Sequence, residues 1–177
     1  MKKIYVSWHD VQRQCQELAR QMWLDAWVPD YVVGITRGGL TPAVLLSQYL
    51  DRPMNTLRVN LRDHADTESN LWMAQDAWQR KNILIVDDIN DQGNTLNWIQ
   101  QDWQSSCFPN HETWQYIWNQ SVRIAVLSQN ESSQSQLTPN YAAETINKLE
   151  TPQWVVFPWE EWWRKWHPNQ ERIEAHT

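Results

Sequence analysis

The sequence predicts an α/β domain: a mostly parallel central sheet flanked by helices. Three observations lead there. Short apolar runs at Tyr31 to Ile35, Ile83 to Val86 and Arg123 to Leu127 are spaced by helix-like stretches and loops, the order strand, loop, helix, strand, loop, helix. Parallel neighbours need such crossovers, so this order fits a parallel sheet. The chain has only four glycines, Gly34, Gly38, Gly39 and Gly93, and they fall in two loops, each directly after an apolar run. The second of those runs ends in acids, as ILIVDDINDQGNTL, residues 83 to 96. Ligands of parallel α/β sheets bind beyond the carboxyl ends of the strands, and both glycine loops lie at that edge.

The elements follow in order. Val11, Cys15, Leu18, Ala19, Met22, Trp23 and Ala26 recur at three- and four-residue steps, which predicts an amphipathic helix over 9–27, ended by Pro29. Tyr31 to Ile35 is a strand and Thr36 to Gly39 a loop. A helix spans 41–50, with Thr41 as N-cap and Pro42 as first helical residue. Asn55 to Leu61 alternates weakly and reads as a strand. Residues 62–80 read as a mobile excursion ending in a short helix at Leu71 to Trp78. Ile83 to Val86 is the second buried strand, and Thr95 to Trp103 the helix after its loop. Residues 104–120 read as an insertion or long connection, Arg123 to Leu127 as a third strand, and the Ser-, Gln- and Asn-rich 128–140 as loop. Trp154 to Phe157 is a last apolar segment, closed by Pro158.

A length of 177 residues suits one domain with a sizeable core, here 1–163 with a polar tail at 164–177. A net charge of −6 argues against a nucleic-acid surface, which needs a basic footprint. No apolar run approaches the ~20 residues that span a bilayer, and the first residues carry no apolar signal segment. Cys15 and Cys107 make neither a disulfide framework nor a zinc site. These features lead us to expect a cytoplasmic protein that is not integral to a membrane. The five histidines show no metal-ligand spacing.

The acidic stretch sets the chemistry. Adjacent carboxylates at a strand end can accept hydrogen bonds from two vicinal hydroxyls, or hold Mg²⁺. The loop that follows runs into a helix N-terminus, whose N–H groups can cradle a phosphate. Thr95 adds a hydroxyl. A Walker B strand also ends in acids, but its partner loop G-x-x-x-x-G-K-[ST] is absent from the sequence. A phosphorelay receiver needs a later aspartate at a strand end. After Asp91 the sequence offers only Asp102, inside an expected helix.

ILIVDDINDQGNTL resembles the ribose-phosphate signature of the type I phosphoribosyltransferases. Four segments together resemble the xanthine–guanine branch. They are Tyr5-Val6-Ser7-Trp8 and Gly34-Ile35-Thr36-Arg37-Gly38-Gly39-Leu40-Thr41-Pro42, then the acidic stretch, then Pro152-Gln153-Trp154-Val155-Val156-Phe157-Pro158-Trp159-Glu160. The resemblance implies a type I phosphoribosyltransferase-like fold with a mobile loop and a small C-terminal hood. It implies transfer of ribose 5-phosphate from phosphoribosyl pyrophosphate to a 6-oxopurine such as guanine, xanthine or hypoxanthine, with Mg²⁺ as cofactor. Asp87 and Asp88 would then hold the ribose hydroxyls, with Asp88 also on Mg²⁺. Asp91 would be the general base near N7, and Asp91, Gln92, Gly93, Asn94 and Thr95 would wrap the 5-phosphate. Arg37 and Gly38 would bind pyrophosphate. Trp154 would stack on the purine, and Val155 would offer backbone contacts to its edge.

Three positions depart from the branch's pattern. Gln92 stands where a threonine is usual. Where the branch reads the 6-oxo group with a lysine just past the third strand, this chain has Ser128, Gln129 and Asn130, and Gln129 is the residue expected at the base edge. Arg62 and Arg80 flank an excursion that carries Glu68 rather than a pyrophosphate-binding arginine. The missing lysine and arginine keep an alternative open, a non-catalytic sensor of phosphoribosyl pyrophosphate or a nucleotide. The aromatic Trp162, Trp163 and Trp166 suggest a homo-oligomer.

Overall fold

The computed structural model describes residues 2–59 and 70–165. In chain order the elements are β1 (Lys2–Tyr5), α1 (Trp8–Leu24), β2 (Tyr31–Thr36), α2 (Leu40–Leu50), β3 (Met54–Arg58), α3 (Leu71–Trp78), β4 (Ile83–Asn90), α4 (Asn94–Ser106), β5 (Val122–Asn130), β6 (Tyr141–Ile146) and β7 (Gln153–Val156). Short 3-10 helices lie at Glu112–Tyr116 and Trp162–Lys165. The first part of the expected excursion, with Arg62 and Glu68, lies outside the described residues, as does the tail beyond Lys165.

Helix α1 starts where its chemistry dictates. The Ser7 hydroxyl accepts from the Asp10 N–H at 3.1 Å, and the Asp10 carboxylate accepts from the Ser7 N–H at 3.1 Å. This reciprocal cap satisfies two backbone donors that the first turn would otherwise leave open. Val11, Cys15, Leu18, Ala19 and Met22 form its buried stripe. The helix stops at Leu24, short of the expected 27, because Ala26 turns into the left-handed region with φ 50°. Pro29 lies beyond that stop. Helix α2 begins at Leu40, with Gly39 rather than Thr41 at its N-cap, and Thr41 and Pro42 fill its first turn.

The main sheet has the order β3-β2-β4-β5-β6, and every pairing in it is parallel. Its central strand β4 is buried on both sides. Ile83 and Ile85 join the core under α3 and α4, while Leu84 and Val86 join the core under α1 and α2. That two-sided burial explains a continuous apolar run instead of an alternating one. β4 does not end at Val86 as expected. Asp87, Ile89 and Asn90 stay in register with Val126, Ser128 and Gln129 of β5, so the acids lie on paired backbone. β5 likewise runs on to Asn130, which shortens the expected loop. β6 was not expected from its mixed YAAETI pattern. It is specified by its ladder on β5, from Ala125↔Tyr141 to Asn130↔Ile146.

Residues 104–120 are not peripheral. Trp114 and Trp118 enter the core beside Trp103, with ring centroids of Trp103 and Trp118 5.6 Å apart and of Trp114 and Trp118 6.1 Å apart. The abundant tryptophans thus serve in part as core volume. β1 and β7 form a separate parallel pair, with Lys3 opposite Trp154 and Ile4 opposite Val155. This is the expected hood, and it joins the first strand to the last. From β2 the chain crosses to β3 on one side, and β4 lies on the other side of β2. The topology therefore reverses between β2 and β4, the place where parallel sheets open a crevice for ligands.

Candidate active site

Two loops meet at that reversal. After β2 comes a cis peptide between Thr36 and Arg37, then Gly38 and Gly39. Asp88 of β4 projects against Gly38 so closely that a β-carbon there would overlap its carboxylate. Arg37 is exposed, and its side chain has no ion pair or hydrogen bond among the described residues. Asp87 and Asp88 are half-buried neighbours. Asp87 accepts from the Asp88 N–H at 3.0 Å, and Asp88 accepts from the Ile89 N–H at 2.8 Å. Burial, and then the charge of Asp88, push the Asp87 carboxyl well above its usual range. Burial, and then the charge of Glu160 in the hood, push Asp88 up to about 6. Among the described residues no cation pairs with either carboxylate.

The second loop, Asp91 to Gly93, leads into α4. Gly93 sits at the N-cap with φ 88°, and no side chain caps the helix. The start of α4 therefore keeps open N–H groups next to the acids. Asn94 is exposed and Thr95 half-buried there. The segment after β5 folds over this turn. Gln134 donates its N–H to the Gln92 carbonyl at 3.1 Å, Gln136 donates its N–H to Asn97 Oδ1 at 2.7 Å, and Ser135 packs on Gly93 where a β-carbon would otherwise stand.

A cavity of about 470 Å³ opens beside the loop, bounded by Asp91, Gln92, Asn94, Asn130, Lys148 and Trp154 among others. Trp154 is 42% exposed. The Lys148 ammonium lies 5.6 Å from its ring centroid and 2.7 Å from Asp91 Oδ2. Asn130 is buried, 4% exposed, and holds the group together. Its amide N–H₂ donates to the Asp91 carbonyl and to Asp91 Oδ1, both at 3.1 Å. Its amide oxygen accepts from the Ser132 hydroxyl at 2.9 Å and from the Lys148 N–H at 3.1 Å.

The structure thus gathers Asp87, Asp88, Arg37 and Gly38 at one end of the site, and Asp91, Gln92, Asn94 and Trp154 at the other. One expected base contact, Gln129, lies elsewhere. Gln129 does not line the cavity: it accepts from Asn90 Nδ2 at 3.0 Å and donates to the Asn130 carbonyl at 2.8 Å. Strand alternation turns the next residue, Asn130, inward instead. Val155 is buried within the hood, paired with Ile4, while its neighbour Trp154 faces the cavity. Arg80 is tied to the Tyr116 carbonyl. Lys148 and Glu160 are the residues that sequence reasoning missed. Glu160 closes the Pro158-Trp159-Glu160 motif, and Lys148 stands six positions before Trp154, between two acid-bearing stretches.

A phosphoribosyl transferase domain matches residues 2–165. The xanthine-guanine phosphoribosyltransferase of Idiomarina loihiensis is 31% identical over 104 residues, covering 56% of this chain and 64% of that protein. That of Cereibacter sphaeroides is 36% identical over 109 residues, with the same shares of 56% and 64%. The chain therefore spans under two thirds of the length of these two relatives. Among solved structures, the purine phosphoribosyltransferase of Pyrococcus horikoshii superposes with a TM-score of 0.63 at 25% identity, over 99% of this chain and 100% of that one. With its crevice at the β2–β4 reversal, its acid pair and its open helix start, this chain belongs to the phosphoribosyl transferase domain family.

Proposed function

We propose that the protein is a purine-salvage phosphoribosyltransferase that transfers ribose 5-phosphate from phosphoribosyl pyrophosphate to a purine base. The observation that carries this reading is the continuity of the site. The acid pair lies near the end of β4, the loop after it opens α4, and Asp91 and Gln92 of that loop line the cavity beside Trp154, so one segment can hold a sugar phosphate and a planar base together. In the reaction the bond from C1 to the pyrophosphate oxygen breaks, and a bond from C1 to the base N9 forms through an oxocarbenium-like state. The base proton at N7 passes to a carboxylate oxygen of Asp91, and pyrophosphate leaves. Asp87 and Asp88 accept hydrogen bonds from the two ribose hydroxyls. The N–H groups at the start of α4, with Thr95, hold the 5-phosphate. Arg37 and the Gly38 backbone take the leaving pyrophosphate. Stabilising that charge and aligning the base are the larger part of the catalytic work.

The residues present fit Mg²⁺. A half-buried pair of carboxylates, both titrating high and unpaired among the described residues, is short of positive charge. Mg²⁺ is commonly held by one or two carboxylates plus substrate oxygens. Asp87 and Asp88 would hold it, and when bound it supplies charge neutralisation to the pyrophosphate. A homo-oligomer also belongs to this reading, supported by the large apolar side chains that α1 and α2 expose at Trp23, Leu24, Val44 and Tyr49. So does a cytoplasmic location. Among the described residues no helix is long and apolar enough to cross a membrane.

The test is pyrophosphate release from phosphoribosyl pyrophosphate and Mg²⁺ with guanine, hypoxanthine, xanthine, adenine and pyrimidine bases, run beside Asp91→Asn. Turnover with a purine that drops by orders of magnitude in the variant supports the proposal. Tight binding of phosphoribosyl pyrophosphate with no turnover on any base would instead support the sensor.

A further inference from the structure

We infer that Asn97 is a positioning residue for the phosphate turn: it ties the segment Ser133 to Gln136 across residues 91–93 and so holds the open start of α4 in its binding shape. This rests on the proposed function for a sugar phosphate at that turn. The tie itself is read from the hydrogen bonds between the two segments.

Residues 133–136 read Ser-Gln-Ser-Gln. They carry no apolar side chain to anchor the segment, and the first that follows is Leu137, which is buried. Hydrogen bonds hold the segment instead. Ahead of the turn, the Ser133 hydroxyl donates to Asn90 Oδ1 at 3.2 Å. Within the turn, the Gln92 carbonyl accepts the Gln134 N–H at 3.1 Å. Past the turn, Asn97 Nδ2 donates to the Gln134 carbonyl at 3.1 Å, and Asn97 Oδ1 accepts the Gln136 N–H at 2.7 Å. A side-chain amide offers a donor and an acceptor, as a peptide does. Asn97 thus pairs with the residues on either side of Ser135, as a neighbouring parallel strand would.

Ser135, at the middle of that pairing, presses on Gly93. Its backbone nitrogen stands where a β-carbon of Gly93 would collide with it. The Asn97 backbone N–H meanwhile closes the first turn of α4 on the Gly93 carbonyl at 3.0 Å. One residue therefore grips the turn from both sides. Its backbone sets the helix start, and its side chain keeps the segment against Gly93. The open N–H groups ahead of Asn97 are held in place before a phosphate arrives. Donors fixed in advance bind an anion with little ordering cost. Without the Asn97 amide the segment loses both ties to α4, and the phosphate itself must order the turn.

The experiment titrates ribose 5-phosphate and, separately, pyrophosphate with Mg²⁺ into the wild type, Asn97→Leu, Asn97→Gln and Ser133→Ala by calorimetry. The KM values for phosphoribosyl pyrophosphate and for the purine are measured in the same proteins. Asn97→Leu keeps the approximate size of the side chain and removes both hydrogen bonds. The expected result is a loss of roughly tenfold in ribose 5-phosphate affinity, with pyrophosphate affinity nearly unchanged. The KM for phosphoribosyl pyrophosphate rises by a similar factor, and that for the purine changes little. Asn97→Gln, which keeps the amide, recovers part of the loss. Ser133→Ala, which removes the tie to Asn90, gives a smaller loss of the same kind and decides the matter if Asn97→Leu does not fold. An equal loss on both ligands, or an unchanged ribose 5-phosphate affinity, overturns the inference. A wild type that binds no ribose 5-phosphate overturns it as well. A wild type that binds ribose 5-phosphate but turns over no base overturns the proposed function alone, and the titrations still decide the role of Asn97.

Discussion

The carboxylate of Asp88 occupies the space beside Gly38 that a β-carbon would need. The loop after β2 and the acid pair are therefore in contact, and the loop's glycine is required by its neighbour across the crevice. Gly38→Ala forces Asp88 to rotate or the loop to retreat. The expected outcome is a rise of about tenfold or more in the KM for phosphoribosyl pyrophosphate. Overpacking of this kind costs about 1–3 kcal/mol of stability. Kinetics and calorimetric melting of the variant check both effects.

Asp88 should also make stability depend on pH. Its carboxyl is raised from an ordinary 3.8 to about 6, first by burial and then by Glu160. The folded protein thus binds this proton more tightly than the unfolded chain does. The stability it contributes is complete below about pH 4 and lost as pH rises through about 6. Asp88→Asn removes the loss, and it also relieves Asp87, which is raised partly by the charge of Asp88. The melting temperatures of wild type and variant should converge near about pH 4 and separate above about pH 6, with the variant higher. Turnover should disappear in the same variant. A wild type that melts higher at neutral pH contradicts this account.

Trp154 is exposed on the cavity side, so its removal should affect binding more than folding. Stacking a base on an aromatic ring is worth about 1–3 kcal/mol. Trp154→Ala should raise the KM for the purine by about tenfold or more while leaving that for phosphoribosyl pyrophosphate nearly unchanged. Melting should shift by only a degree or so, since the ring fills no core. Steady-state kinetics with each substrate varied in turn make the comparison.

Asn130 should behave in the opposite way. Asn130→Ala leaves the Ser132 hydroxyl and the Lys148 N–H without their acceptor and frees Asp91. Buried groups left unpaired cost about 1–3 kcal/mol, and each kcal/mol lowers the melting temperature of a chain this size by about 2–4 °C. The expected outcome is a lower melting temperature together with a lower kcat. Loss of kcat without any change in melting would mean that Asn130 does not hold the site together.

The acid stretch was legible because paired carboxylates and a sparing use of glycine are local signals. Helix α3 was placed at Leu71 to Trp78 from its pattern alone. The ends of β4 and β5 were not legible, because what extends them is each other's backbone, and polar residues such as Asp87 and Gln129 give no apolar sign of it. β6 was missed for the same reason. The cavity-facing residues show the limit most clearly. One step along β5 separates Gln129, turned to Asn90, from Asn130, turned to Asp91. Nothing in the local pattern reveals which of two adjacent amides faces inward. Lys148 is 57 positions from Asp91, and only the fold brings them together.

The parallel pairing of β1 with β7 would divide the proposed substrate between two pieces of the molecule. In the proposed reading the sugar phosphate would lie on the main sheet, while the exposed Trp154 ring hangs from a two-stranded clip whose other half is the first few residues of the chain. Fraying at that end would tilt the purine without disturbing the ribose. Choice of base and chemistry at the sugar can then be tuned separately, like the jaw and the handle of one tool.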